Sequence, residues 1–459
     1  MLDTFATARS MLSALRAKEI SARELLELHL ARIGATNGDI NAIVSLDEER
    51  AREAALAADD APEPRGVLHG LPFAFKDTHE VAGWRTTYGS RVMKDYVPTR
   101  DELIVERIRA AGVVVIGRTN TPEFAAGSHT FNEVYGTTRN PHDLSRSAGG
   151  SSGGAAAALA AGMVPLAEGS DMGGSLRNPA SFCGVVGLRP SLNRVPEWPQ
   201  HNAWETLAVG GPMARTVDDL ALLLSVISGP DRRVPSALPA YVDEPLRGTL
   251  EGLRVAVSVD LGGAFAVDSA VGDVVRAAAT RFPGAVEAHP DLREAEDTFR
   301  TLRAWHFQAR LGKLLAKHPE LFKESLADNI RAGESLTGAD VARAYHQRTN
   351  LAQRMVSFFE RYDVLVLPTS QVPPFPADQE YPTSIEGAPM ATYLDWMRSA
   401  YFITVTGCPA ISVPAGVTPD GLPVGIQIVA AHNQERRLLE VAAAFELVRA
   451  ELPAFLDSW

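Results

Sequence analysis

Two serines and one lysine carry the chemistry that this sequence suggests. Ser151 and Ser175 each stand in a glycine cluster, Gly149-Gly150-Ser151-Ser152-Gly153-Gly154 and Gly173-Gly174-Ser175, inside a glycine-, serine- and alanine-rich tract at 146–191. Glycine is used where a backbone must take positive φ or approach another group closely. The two clusters therefore predict two sharp turns that deliver their serines to one point. A hydroxyl becomes a nucleophile only when a base takes its proton, and histidine usually does so. None of the 11 histidines sits in a local pattern that marks it as that base, and His79 and His129 read as satisfied polar groups. Lysine can serve instead if burial, which disfavours its charge, lowers its pKa from about 10.4 toward neutrality. Lys76 closes the alternating apolar run LPFAFK and is the lysine best placed to be buried.

The elements that must position these residues follow from periodicity. Between the serines there is room for a helix at 155–161, a strand at 164–167 and a turn at 169–174. The alternation at 71–76 predicts a strand. Thr99 and Glu102 stand at capping-box spacing ahead of a helix running to Ala111, which Gly112 stops, and 113–116 reads as a buried strand. Strand, helix, strand in succession implies parallel pairing and an α/β layer fold. Asn120, Thr121 and Pro122 predict a further helix start, and 127–147 reads as loop. An amphipathic helix opens at Ser21 with Glu24 at capping-box spacing, and a more charged one follows from Asp47. Later helices are expected at 216–227, 267–281, 294–317, 338–361 and 434–450, and strands at 253–259, 364–366, 410–414 and 424–430. An aromatic loop at 193–206 is placed to wall a pocket, and a proline-rich loop spans 368–389. No compositional break divides the chain. One domain over 1–459 is expected, with N-terminal helices at 1–65 packing on it and the chemistry in 71–215.

Composition narrows the function classes. The 459 residues are 46% hydrophobic, enough for a large core. A formal charge of −12 without a basic block argues against nucleic acid or an anionic membrane as partner. Cys183 and Cys408 are too few for a disulfide framework and lack metal-ligand spacing, so a reducing, cytoplasmic setting is expected. Cys183 reads as a small buried residue. The N-terminal stretch has no apolar signal core, and the uncharged run at 147–167 is too weakly hydrophobic to span a membrane.

The tract is similar to the amidase signature family, whose members resemble one another in GGSSGG, GSDxGGS and the segment PASFCGVVGLRPS, with a weaker match at GCPAISVPAG. The resemblance implies an α/β fold with a mixed central sheet covered by helices on both faces, and no metal or cofactor. It implies a Ser, cis-Ser, Lys triad that falls on Ser175 as nucleophile, Ser151 as proton relay after a cis Gly150–Ser151 peptide, and Lys76 as base. The backbone N–H groups of Met172, Gly173, Gly174 and Ser175 would hold the oxyanion. Asp171 and Arg177 read as bracing the turn. Family members often have Pro at the place of Ala148 and Ser at that of Ala155. The form GSDMGGSLRNPASFCGVVGLRPSLNRVP looks most like the branch acting on bulky, often aryl, amides, and it is similar to urethanases that cleave carbamates. Arg194 would then gate the pocket, with Tyr135, Trp198 and Trp204 lining it. The expected partner is a small amide or carbamate, taken by a monomer or homodimer.

Three other readings compete. Gly150, Ser152 and Gly154 fit the elbow of an α/β-hydrolase, with Ser152 as nucleophile, but that elbow needs a strand directly before it, and 140–147 does not read as one. The ammonia-supplying subunit of a tRNA-dependent amidotransferase shares the signature. A non-catalytic binding protein that kept the fold would be indifferent to Ser175→Ala.

Overall fold

The computed structural model describes residues 2–449. Alternation within one short strand shows how the layers are built. In Val364–Pro368, Val364 and Val366 pack into one hydrophobic cluster, while Leu365 and Leu367 pack into another. Successive strand side chains point to opposite faces, so a strand buried on both sides is apolar throughout. Helices Val217–Ile227, Ser269–Ala279 and Glu435–Val448 supply the first cluster. Helices Ala295–Lys317, Gly338–Arg361 and Arg398–Thr406 supply the second.

The sheet between them has eight strands, ordered Val286–Glu287, Val255–Val257, Val364–Pro368, Pro423–Val429, Ala410–Val417, Val186–Arg189, Val209–Ala214 and Leu166–Asp171. The first three are parallel and every later pairing is antiparallel, so the sheet is mixed, in a single α/β domain. A smaller sheet pairs Pro72–Lys76 in parallel with Val114–Thr119, as the strand, helix, strand pattern requires, and sets Ile43–Leu46 antiparallel beside it. It abuts the large sheet where Lys76 N–H donates to Glu168 Oε1 at 2.6 Å.

Helix Gly153–Ala160 follows the Ser151 turn and is buried along its whole length. Its sequence of glycine, alanine and one leucine allows that approach. Helix Ala22–Ile40 fastens the turn at its far end: His29 Nδ1 lies 3.1 Å from Met163 O, and Arg32 Nε donates to Ala161 O at 2.7 Å.

Several expectations needed correction. The helix expected after Asn120 is a 3-10 turn, Glu123–Ala125, with Phe124 and Ala125 at positive φ. Asn120 bonds Thr121 N–H through its own side chain, a local bond that competes with helix. Helix Leu103–Ala110 starts at Glu102 without a side-chain cap, because that carboxylate faces His79 instead. The strand expected at 164–167 runs to Asp171, straight through Gly169. The 127–147 loop contains short hairpins, including the strand Asp143–Ser147. Helices Ala8–Arg16, Glu324–Arg331 and Arg398–Thr406 lacked a clear sequence signal. Residue 450 of the expected closing helix lies outside the described residues. No helix among the described residues is long and apolar enough to cross a membrane.

Candidate active site

Lys76, Ser151 and Ser175 come from three elements that meet where the two sheets abut. Lys76 ends strand Pro72–Lys76 and is fully buried. Its Nζ lies 2.8 Å from Ser151 Oγ, 3.0 Å from Ser152 Oγ and 3.2 Å from Ser170 Oγ. No carboxylate pairs with this amine among the described residues. Burial, opposed only in part by Glu168 and Asp171, lowers its pKa from 10.5 to about 7. A neutral amine has two N–H donors and one lone pair, which matches three surrounding hydroxyls, so Lys76 can take a proton from one of them.

The Gly150–Ser151 peptide is cis. Gly150 O accepts from Ser128 Oγ at 2.7 Å, and Ser128 Oγ in turn accepts from Asn178 Nδ2 at 2.9 Å. Ser152 N–H donates to Ser175 O at 3.1 Å and stitches the two glycine turns together. The second turn is braced from below. Asp171 Oδ1 accepts from Gly174 N–H at 2.9 Å, and its carboxylate pairs with the buried Arg177 and Arg189 at 3.0 and 3.3 Å. Burial would raise the Asp171 pKa, but the two guanidinium groups hold it well below the usual carboxylate range. Gly174 has φ +112°, which L side chains rarely adopt, and a Cβ there would stand 2.6 Å from the Ala400 methyl.

Gly174 needs correction as an oxyanion donor, because its N–H points inward to Asp171. The N–H groups of Met172, Gly173 and Ser175 make no hydrogen bond among the described residues and remain available. Gly173 faces Phe299 and Met397, and Phe299 stacks on Tyr401 with ring centroids 4.2 Å apart. Met172 Sδ accepts from Arg303 Nη1 at 3.1 Å.

The four expected pocket residues lie among other partners. Arg194 pairs with Glu435 at 2.9 Å and donates to Pro239 O at 2.6 Å, and so braces its loop against the last helix. Trp198 lies under Arg233 and Arg100, with guanidinium carbons 4.3 and 5.2 Å from its ring. Trp204 is 70% exposed. Tyr135 packs against Arg85 and neighbours Asp77 and Arg118. No hydrogen bond or ring contact joins any of the four to Lys76, Ser151 or Ser175 among the described residues.

The elbow reading of Ser152 fails for a different reason than expected. A strand does precede it, Asp143–Ser147, but in a two-stranded hairpin apart from the central sheet. Ser152 itself is fully buried beneath Gly169. His129 is a satisfied polar group, with Nδ1 2.6 Å from Ser147 Oγ and Nε2 3.0 Å from Ala377 O. Cys183 is buried.

His79 is more than that. Its ring lies between Glu102 Oε2 at 2.7 Å and Glu168 Oε2 at 2.9 Å. Burial works against its charge, yet the two carboxylates carry its pKa up to about 10. The signal that could have found Glu168 is its isolation, since it is the one charged residue in 147–170.

A mixed α/β sandwich holding two serine turns over a buried lysine defines an amidohydrolase of C–N bonds. The chain belongs to the amidase signature family: the family model described as Amidase matches residues 24–439. It is 40% identical to an acylamidase of Rhodococcus erythropolis, over 96% of this chain and 95% of that protein. It is 34% identical to one subunit of the glutamyl-tRNA(Gln) amidotransferase of Geobacillus thermodenitrificans, covering 96% of each. Its structure is similar to that of a bacterial aryl acylamidase, with a TM-score of 0.89 at 30% identity over 96% of both chains.

Proposed function

We propose that this protein is a stand-alone acylamidase that cleaves bulky or aryl amides through an acyl-enzyme, with carbamates as further substrates. Neutral Lys76 takes the Ser151 proton while Ser151 takes that of Ser175, whose Oγ attacks the carbonyl carbon. The tetrahedral oxyanion is held by the N–H groups of Met172, Gly173 and Ser175. Removing one such donor typically raises a barrier by ~3 to 4 kcal/mol. The departing amine takes its proton back through Ser151, and water then cleaves the ester on Ser175 by the same relay.

The observation that carries this reading is the Lys76 amine, buried 2.8 Å from Ser151, with three hydroxyls and no carboxylate within ion-pair distance of Nζ among the described residues. The apolar side chains of Phe299 and Met397, packed beside Gly173, support a bulky or aromatic substrate group. The acylamidase at 40% identity supports the same class.

The test is turnover of aryl amides, primary amides and carbamates by the purified chain, beside Ser175→Ala. Aryl amides are expected to be the best substrates, with neither turnover nor acyl-enzyme in the variant; surviving activity would move the nucleophile elsewhere. Full-length similarity to an amidotransferase subunit favours a second reading as an ammonia supplier. A chain inactive alone on every amide would select it.

A further inference from the structure

We propose that His79 is a positioning residue that keeps Lys76 uncharged by neutralising Glu168. The inference rests on the reading of Lys76 as the general base. A lysine beside a glutamate ordinarily forms an ion pair, and an opposite charge within about 4–6 Å favours the ammonium by about 1–3 pKa units. Glu168 is fully buried and held against the base by its own backbone, with Lys76 N–H 2.6 Å from Glu168 Oε1. Left alone, that carboxylate would hold a proton on Nζ.

The geometry prevents this. The second oxygen of Glu168 faces His79 Nε2 at 2.9 Å, and His79 Nδ1 faces Glu102 Oε2 at 2.7 Å. Only the imidazolium has a proton on both ring nitrogens, so a ring between two carboxylates is held charged. The His79 charge then offsets part of the Glu168 charge felt at Lys76. The remaining charged groups do not replace it. Asp171 is taken up by Arg177 and Arg189. Asp77 lies 3.6 Å from the buried Arg118, which also donates to Lys76 O at 2.9 Å. Glu102 is partly exposed and lies on the far side of the ring, and Glu197 adds a third acidic neighbour to His79.

The device is testable because the two partners must act in opposite directions. The measurement is the pH dependence of kcat/KM for the full chain. His79→Gln leaves Glu168 unneutralised, stabilises the ammonium, and is expected to move the acid limb up by about 1 pH unit or more. In Glu168→Gln the amide oxygen still accepts from Lys76 N–H, but the anion is gone, so the limb is expected to move down. The double variant should return toward wild type. A limb that stays put or moves down in His79→Gln, or moves up in Glu168→Gln, overturns the proposal. Lys76→Ala is measured alongside. If it retains wild-type activity the base reading itself fails, whereas a dead Lys76→Ala with an unmoved limb in His79→Gln sinks only this inference. Thermal unfolding reports whether each variant folds, and His79→Asn, expected to move the limb up in the same way, carries the test should His79→Gln not fold.

Discussion

Lys76 illustrates how burial converts an ordinary residue into a reagent. Its amine is surrounded by Ser151, Ser152 and Ser170 hydroxyls. These satisfy a neutral amine without supplying the negative charge that would keep an ammonium stable. With a pKa near 7, the amine is protonated and inactive as a base below that pH and neutral above it. The expected kcat/KM therefore rises with pH through a midpoint of about 7, and Lys76→Ala should remove activity at neutral pH with partial recovery as hydroxide increases. An unaltered pH profile in that variant would refute the role. Asp171 acts at the same scale through structure. Asp171→Asn leaves Arg177 and Arg189 buried without a counter-charge, and breaking a buried pair in this way costs about 3–5 kcal/mol. A large loss in thermal stability is expected, accompanied by a fall in kcat because the charged brace of Arg177 and Arg189 beneath the Gly174 turn is broken.

At the scale of elements, Gly169 separates what spacing reveals from what packing decides. As a sequence feature it suggested a turn, but strand Leu166–Asp171 passes through it without a break. The glycine is required because a Cβ there would lie 2.3 Å from Ser152 Oγ, so the strand and the first serine turn could not approach. Gly169→Ala is expected to destabilise the protein by about 1–3 kcal/mol, as overpacked cores do, and to lower kcat by pushing the Ser151–Ser152 turn off Lys76. Wild-type melting and turnover in that variant would show that the turn is more yielding than its contacts indicate. The helix beginning at Leu103 teaches the same lesson. Thr99 and Glu102 had capping spacing, yet the Glu102 side chain turns to His79, a partner 23 residues away.

Across the whole molecule, Arg194 ties the loop that follows the signature tract to the C-terminal helix through the buried Glu435. Arg194→Ala should cost about 3–5 kcal/mol of stability by stranding Glu435, and leave KM for small amides nearly unchanged. A raised KM at unchanged stability would return Arg194 to the pocket. Apolar periodicity made the parallel pairing of the first two signature strands legible, and the resemblance to the amidase signature family supplied the mixed sheet and the candidate triad. Both were legible because periodicity, glycine turns and a long motif are local properties of the chain. Folding alone left the Met172, Gly173 and Ser175 N–H groups of the second turn unbonded, joined Arg194 to Glu435, and set His79 between Glu102 and Glu168. Those outcomes depend on which charges are buried together, and burial brings together side chains far apart in sequence that no spacing rule connects.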